Sequence, residues 1–189
     1  MDVYDAITKR RTIRKFKQDD IPLETLQRLV EAARIAPASA NIQPLTYIIV
    51  HSRELVDGLF PLVAWAGYIA PDGNPAEGER PVAYIIILID SEIHKGDAAR
   101  DVGAAAENLM LAAMAEGLGT CWMGAIERPK IAELLGVPEH LKIDTLISLG
   151  RPAEEPVMEE MTDSIKYYKD SSGTLHVPKR ALSDILKIM

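Results

Sequence analysis

The sequence is short of the residues on which several kinds of protein chemistry depend. It has one cysteine, Cys121, which excludes an intramolecular disulfide framework and suits a reducing compartment. Its four histidines, His51, His94, His140 and His176, lie far apart with no helical pairing, and no CxxC occurs. That spacing offers no metal site. There is no GxSxG elbow, and Cys121 has no histidine near it in sequence, so neither a serine nor a cysteine hydrolase is signalled. The dinucleotide fingerprint GxGxxG and the phosphate loop GxxxxGK[ST] are both missing. The longest apolar run, VAYIIILI at 82–89, is too short to span a bilayer and reads as a buried strand. The start, MDVYDAITKRR, lacks the apolar core of a signal peptide, so the expected location is cytoplasmic.

Positive charge is scarce overall but concentrated at one place. The chain has a formal net charge of -7. Residues 1–17 carry Lys9, Arg10, Arg11, Arg14, Lys15 and Lys17 against Asp2 and Asp5, six charges less two, or +4. The remainder must therefore sum to -11. No basic face extends beyond this island, which argues against nucleic acid as a partner. A compact basic island on an acidic chain suits a small anion, and arginine forks bind phosphate in two-point fashion. Taken alone, the same run also reads as a solvated charged helix end.

The 189 residues, 48% hydrophobic and 26% charged, fit one domain with a real core. Asp2 can cap a first helix in which Val3, Ala6 and Ile7 share a face. A helix over 22–36 opens at Pro22, lines up Leu23, Leu26, Leu29, Val30 and Ala33, and stops at Pro37. The loop PASANIQP follows, then a strand at 46–51 and a helix at 53–66 that Gly58 and Pro61 weaken. The proline- and glycine-rich stretch 70–81 reads as a loop of the kind that covers binding sites. The spacing predicts a helix over 97–117 rich in alanine and glycine, which makes it the central helix or a subunit contact. A short strand TCWMGAI, a helix from Pro129 to Gly136 and a strand LKIDTLISLG come next. Residues 155–189 read as an extended arm (SIKYYKD, a turn at SSG, TLHV) with a helix after Pro178. The pattern is that of a single α+β domain spanning 1–189.

Three features remain: the basic island, an Asn/Gln/Ser loop and a glycine-rich turn followed by Trp122. A planar ligand with a phosphate, a polyol and a hydrogen-bonding ring edge needs all three. In order and spacing, RRTIRKF at 10–16, APASANIQP at 36–44, GLGTCWMGAI at 117–126 and SLGRPAEEP at 148–156 resemble the nitroreductase-like flavoprotein family. The ending KYYKDSSGTLHVPKRAL at 167–182 is similar to that of one branch of it.

The resemblance implies an α/β sandwich with a mostly antiparallel central sheet flanked by helices. It also implies a homodimer with FMN at the subunit interface and a domain-exchanged C-terminal arm packing on the partner. Arg10, Arg11, Thr12 and Arg14 would grip the phosphate and ribityl chain. Pro37, Ala38, Ser39, Asn41 and Gln43 would reach the flavin from the opposite subunit. Trp122, Met123, Gly124 and Ala125 would lie along the isoalloxazine, with the Gly124 amide donating to N5. Lys179 and Arg180, or Arg151, would also meet the phosphate. The implied reaction is hydride transfer from NADH or NADPH to a nitroaromatic, quinone or similar small electron-poor acceptor, in ping-pong order, with no protein acid, base or nucleophile. Leu45 stands where many relatives have an aromatic, and Gly124 where many have a larger side chain. A dedicated reaction (reductive dehalogenation or flavin ring cleavage) and a non-catalytic FMN-binding protein are the alternatives.

Overall fold

The computed structural model describes residues 1–189. Its centre is β3 (Ala83–Asp90), whose residues Ile85, Ile86, Ile87 and Leu88 are all fully buried. Burying an isoleucine or leucine side chain contributes about 1.5–3 kcal/mol, so this run anchors the core. Strand alternation splits it between two layers. Ile85 and Ile87 pack on α2 (Leu23–Arg34) and α4 (Ala99–Ala115), against Leu26, Leu29, Val102 and Leu109. Tyr84, Ile86 and Leu88 face Val56 and Leu59 of α3 (Arg53–Leu59) and Ile131 of α5 (Arg128–Leu135). The result is a sheet with helices on both faces.

The main sheet is antiparallel throughout. Strands β1 (Phe16–Lys17), β3 and β4 (Gly119–Met123) all pair with the long β5 (Leu141–Pro152), and β2 (Leu45–Val50) pairs with β3. This matches the mostly antiparallel sandwich anticipated above. Several elements differ from the sequence reading in extent. In α1 (Val3–Lys9) the Asp2 side chain does accept from the Asp5 N–H at 2.8 Å, but only Ala6 of the expected apolar face is buried. Val3 and Ile7 face outward with Tyr4. The helix expected over 53–66 stops at Leu59 and gives way to a 3₁₀ turn, Phe60–Leu62. Pro61 lacks the amide to continue it, and Val63 and Ala64 instead pair with Ile126 and Ala125.

Two glycines set the position of the basic segment. Gly119 and Gly150 are register partners in β4 and β5. A Cβ on Gly119 would lie 2.8 Å from the Ile13 side chain, and one on Gly150 would lie 2.7 Å from Phe16. Ile13 N–H donates to the Thr120 carbonyl at 2.9 Å, and Thr12 bridges Thr120 in parallel. Residues 12–16 can cross the sheet edge only because these two positions have no side chain.

The arm is less extended than the sequence suggested. SIKYYKD contributes only β7 (Tyr168–Lys169), while β6 (Val157–Glu160) runs parallel to β8 (Leu175–Lys179) and the final helix, α6, is short (Leu182–Ile185). His176 sits between two carboxylates, with Nδ1 2.9 Å from Glu159 and Nε2 3.3 Å from Asp170. Its ring stacks on Tyr168 at 4.9 Å. Glu159 foremost, then Asp170, raise its pKa above the usual imidazole value. The Ser172 hydroxyl foremost, with the Thr174 N–H and His176, hold Asp170 down at about 2. No helix is long and apolar enough to cross a membrane.

Gly119→Ala should cost about 1–3 kcal/mol of stability in urea unfolding, because the branched Ile13 cannot yield without moving the backbone. An unchanged midpoint would show that residues 12–16 relax freely. The folded-state pKa of His176 is raised, so its contribution to the arm is complete below pH of about 6.5 and is lost as pH rises through the raised value. Hydrogen-exchange protection of the β6–β8 amides, corrected for intrinsic rates, should therefore fall with rising pH while that of β3 holds. Parallel behaviour of the two sets would rule the histidine out.

Candidate functional site

The basic island is not uniformly free. Lys9 pairs with Asp5 at 2.7 Å, Lys15 with Glu79 at 2.8 Å, and Arg10 Nε approaches Glu107 on α4 at 3.4 Å. That last contact is too long for a hydrogen bond, and the buried Arg10 Nε has no hydrogen-bond partner. Arg11, Arg14 and Lys17 form no ion pair at all. The Arg11 guanidinium donates to the Arg10 carbonyl and, at 2.7 Å, to the Thr8 carbonyl. Burial foremost, then the charge of Arg10, lowers the pKa of Arg11. Two half-buried cations side by side, one with an orphaned N–H, leave a local demand for an anion.

Glu154 was not singled out in the sequence, yet its Oε1 accepts from the backbone N–H of Arg14 at 2.6 Å and of Lys15 at 3.2 Å. It pins the run after β5 to the basic segment. Around it opens a groove of about 880 Å³, lined among others by Arg10, Arg11, Lys17, Thr120, Glu154 and Met158. Arg14 does not line it. Its guanidinium turns to another side, toward the Cys121 thiol and over the Tyr167 ring at 4.9 Å. Burial pushes the Cys121 thiol up to about 11, so it stays protonated.

At the far end of β4 the chain comes to the surface. Trp122 is 43% exposed, and its indole N–H donates to Thr145 Oγ1 at 2.8 Å, which in turn donates to the Met123 carbonyl at 2.6 Å. The ring is thus fixed with part of its surface open. Met123 points into the core beside Cys121, so only its main chain can meet a ligand. Gly124 and Ala125 are exposed, and a Cβ on Gly124 would meet nothing within 4 Å. That open flank suits the edge of a planar ring approaching the backbone.

The loop after α2 is built differently. Ala40, Asn41 and Gln43 have φ of 49°, 54° and 57°, in the left-handed region that only asparagine among them adopts readily. Such strain persists where surroundings impose it. Here the clamp is Asp101, buried on α4, which accepts from both the Ser39 N–H at 2.9 Å and its hydroxyl at 2.8 Å. Pro37, Ala38 and Gln43 line a separate small cavity of about 160 Å³ with Tyr47 and Asp101. Asp101 and Glu107 are six residues apart on α4, which places the loop and Arg10 about 120° apart around the helix and about 9 Å along it. Within one chain, the loop therefore does not converge on the basic segment. Lys179 and Arg180 lie exposed at the end of β8, where Arg180 donates to the Asp184 carbonyl at 3.0 Å, and Arg151 pairs in register with Lys17. His140 comes within 4.8 Å of Asp90 and Glu92, a grouping that sequence spacing does not reveal.

Two arginines without carboxylate partners, Arg11 and Arg14, thus lie on a segment beside a strand that ends in an exposed tryptophan and an open glycine. The chain belongs to the nitroreductase family, whose model matches residues 7–151. A Methanothermobacter thermautotrophicus protein, provisionally named an NADH dehydrogenase/NAD(P)H nitroreductase, is 34% identical over 86% of this chain and 84% of its own. The solved FMN-dependent nitroreductase from Clostridium difficile R20291 is 26% identical, with a TM-score of 0.65 over 85% of this chain and 92% of that one. A Desulfovibrio desulfuricans structure in complex with FMN shares the fold at TM-score 0.72 and 23% identity, over 100% of this chain and 97% of that one.

Asp101→Ala should lower the unfolding free energy by about 2–4 kcal/mol, since it removes two charge-assisted bonds that hold a strained loop. Denaturant unfolding measures it, and a loss below the noise would mean that the loop is held by other contacts.

Proposed function

We propose that the protein is an FMN-dependent NAD(P)H oxidoreductase. It reduces nitroaromatics, quinones or similar electron-poor acceptors, and holds the flavin between the subunits of a homodimer. One observation carries this reading: Arg11 and Arg14, cations without carboxylate partners, sit on a segment laid against β4, and β4 ends at the exposed Trp122 and the open Gly124. Membership of the nitroreductase family supports it. So do the nicotinamide in the name of the archaeal relative and the FMN in that of the Clostridium enzyme.

The chemistry that FMN supplies when bound is hydride acceptance from a nicotinamide and donation to an oxidised acceptor. This chain's residues bind and orient. Arg10 and Arg11 with the Thr12 hydroxyl would meet the phosphate from the groove side, and Arg14, turned toward Tyr167, would meet the ribityl chain. The fixed Trp122 indole and the main chain at Met123, Gly124 and Ala125 border the ring, with the Gly124 amide as donor to its reactive nitrogen. No side chain is poised as nucleophile, because the one thiol is buried and protonated. A single open flank serving reductant and acceptor in turn gives ping-pong kinetics.

A second subunit completes the arrangement. The loop of Pro37, Ala38, Ser39, Asn41 and Gln43 faces away from its own basic segment and is free to meet another's. Val3, Tyr4 and Ile7 on α1 and Leu182, Ile185 and Leu186 at the chain's end are large apolar side chains left exposed, as a subunit interface requires. On this reading the end of the arm, with Lys179 and Arg180, crosses to the partner. The buried free thiol suits a reducing cytoplasm.

Purified protein should be yellow, bleach anaerobically with NADH or NADPH, and regain colour on adding a quinone or nitroaromatic. Protein that takes up no FMN would sink the proposal, and protein that binds FMN without oxidising either nicotinamide would be a flavin carrier. Arg11→Ala and Arg14→Ala should each weaken FMN binding by about 1.5–3 kcal/mol, the range for a hydrogen bond to a charged group. Fluorescence titration of the apoprotein checks this, and unchanged affinity in both would place the phosphate elsewhere.

A further inference from the structure

The arm's three strands pair with one another, and a short stretch around Tyr167 fastens them to the body of the protein. Tyr167 is the half-buried residue between the exposed Lys166 and Tyr168. Its ring lies 4.9 Å from that of Tyr68, with 54° between the planes, and its hydroxyl is 3.5 Å from the Tyr68 amide. Two residues on, the Lys169 ammonium donates to the Asp72 carbonyl at 3.0 Å. The guanidinium of Arg14 also lies over the Tyr167 ring, 4.9 Å from its centroid. Tyr68 belongs to the run whose earlier residues, Val63 and Ala64, pair with Ile126 and Ala125. One arm residue thus touches Arg14 directly and is tied, through Tyr68, to the segment beside Gly124.

We propose that Tyr167 is a positioning residue that holds the Arg14 guanidinium for the flavin and makes docking of the arm and binding of FMN mutually reinforcing. The proposal rests on the reading that Arg14 meets the cofactor. Arg14 has its backbone N–H fixed by Glu154 but no carboxylate on its side chain, so the long side chain would otherwise sample many rotamers. Stacking on an aromatic face restrains the guanidinium plane while leaving its edge N–H groups free to donate to an anion. An ion pair would have consumed that donor edge. Linkage then demands reciprocity: the factor by which a docked arm tightens FMN is the factor by which FMN favours the docked arm.

The test uses the full-length protein and two readouts, FMN affinity of the apoprotein by fluorescence titration and protease cleavage within 155–170 with and without saturating FMN. Wild type should be cleaved more slowly when FMN is bound. Tyr167→Phe should behave as wild type, because the ring is what holds the guanidinium. Tyr167→Leu should bind FMN about three- to tenfold more weakly and lose the protection. Added to Arg14→Met, which itself weakens binding, Tyr167→Leu should cause no further loss. The absence of FMN-dependent protection in wild type overturns the proposal without any variant. So does wild-type affinity in Tyr167→Leu. If Arg14→Met weakens binding and Tyr167→Leu does not, the positioning role falls and the assignment of Arg14 stands. If Arg14→Met also binds FMN normally, both fall.

Discussion

The close approach of the basic segment to the paired glycines of β4 and β5 is the constraint on which the site depends. Ile13 and Phe16 occupy the space that side chains at Gly119 and Gly150 would fill. Burying those two residues fixes the path of the segment: Ile13 and Phe16 turn inward, and Arg14 turns toward Cys121 and Tyr167. The cations are thereby placed by packing, not by their own charges. Because β5 also pairs with β3, the segment inherits its position from the most deeply buried strand of the molecule.

Electrostatics act within that frame. The chain neutralises Lys9 and Lys15 with its own carboxylates and brings Glu107 near Arg10. It spends Glu154 on backbone N–H groups instead of on a guanidinium. This leaves Arg11, Arg14 and the exposed Lys17 as the uncompensated charges of the island, and partial desolvation strengthens the hold of the two arginines on an anion. The acidic balance of the rest of the chain disfavours larger polyanions at the same place.

The loop after α2 shows the opposite economy. Its left-handed residues are held by one buried carboxylate, Asp101, which takes both the Ser39 N–H and its hydroxyl. On the proposed function, this strained, well-anchored loop would supply one half of a site shared between subunits. The arm has two parts in this view. Its root, through Tyr167, contacts the chain it belongs to, and its apolar end is left exposed for the partner that the proposed function requires.

By itself the sequence determined the family blocks, the buried run of β3, the capped first helix and the residue types able to hold a phosphate and a planar ring. These are legible because they depend on local periodicity, capping chemistry and the order of short motifs. Glu154, Asp101 and Tyr167 were not legible: their partners lie 140, 62 and 99 residues away in sequence, and no local pattern marks a carboxylate that caps a distant backbone. Nor could charge counting say which cations of the island stay free, since that depends on Glu79 and Glu107 arriving from other elements. The pairing of β6 with β8 was likewise settled by a long-range partner, whereas the early end of α3 follows from Pro61. Tertiary structure alone decided where each charge points, because a side chain's direction is fixed by what packs beneath it.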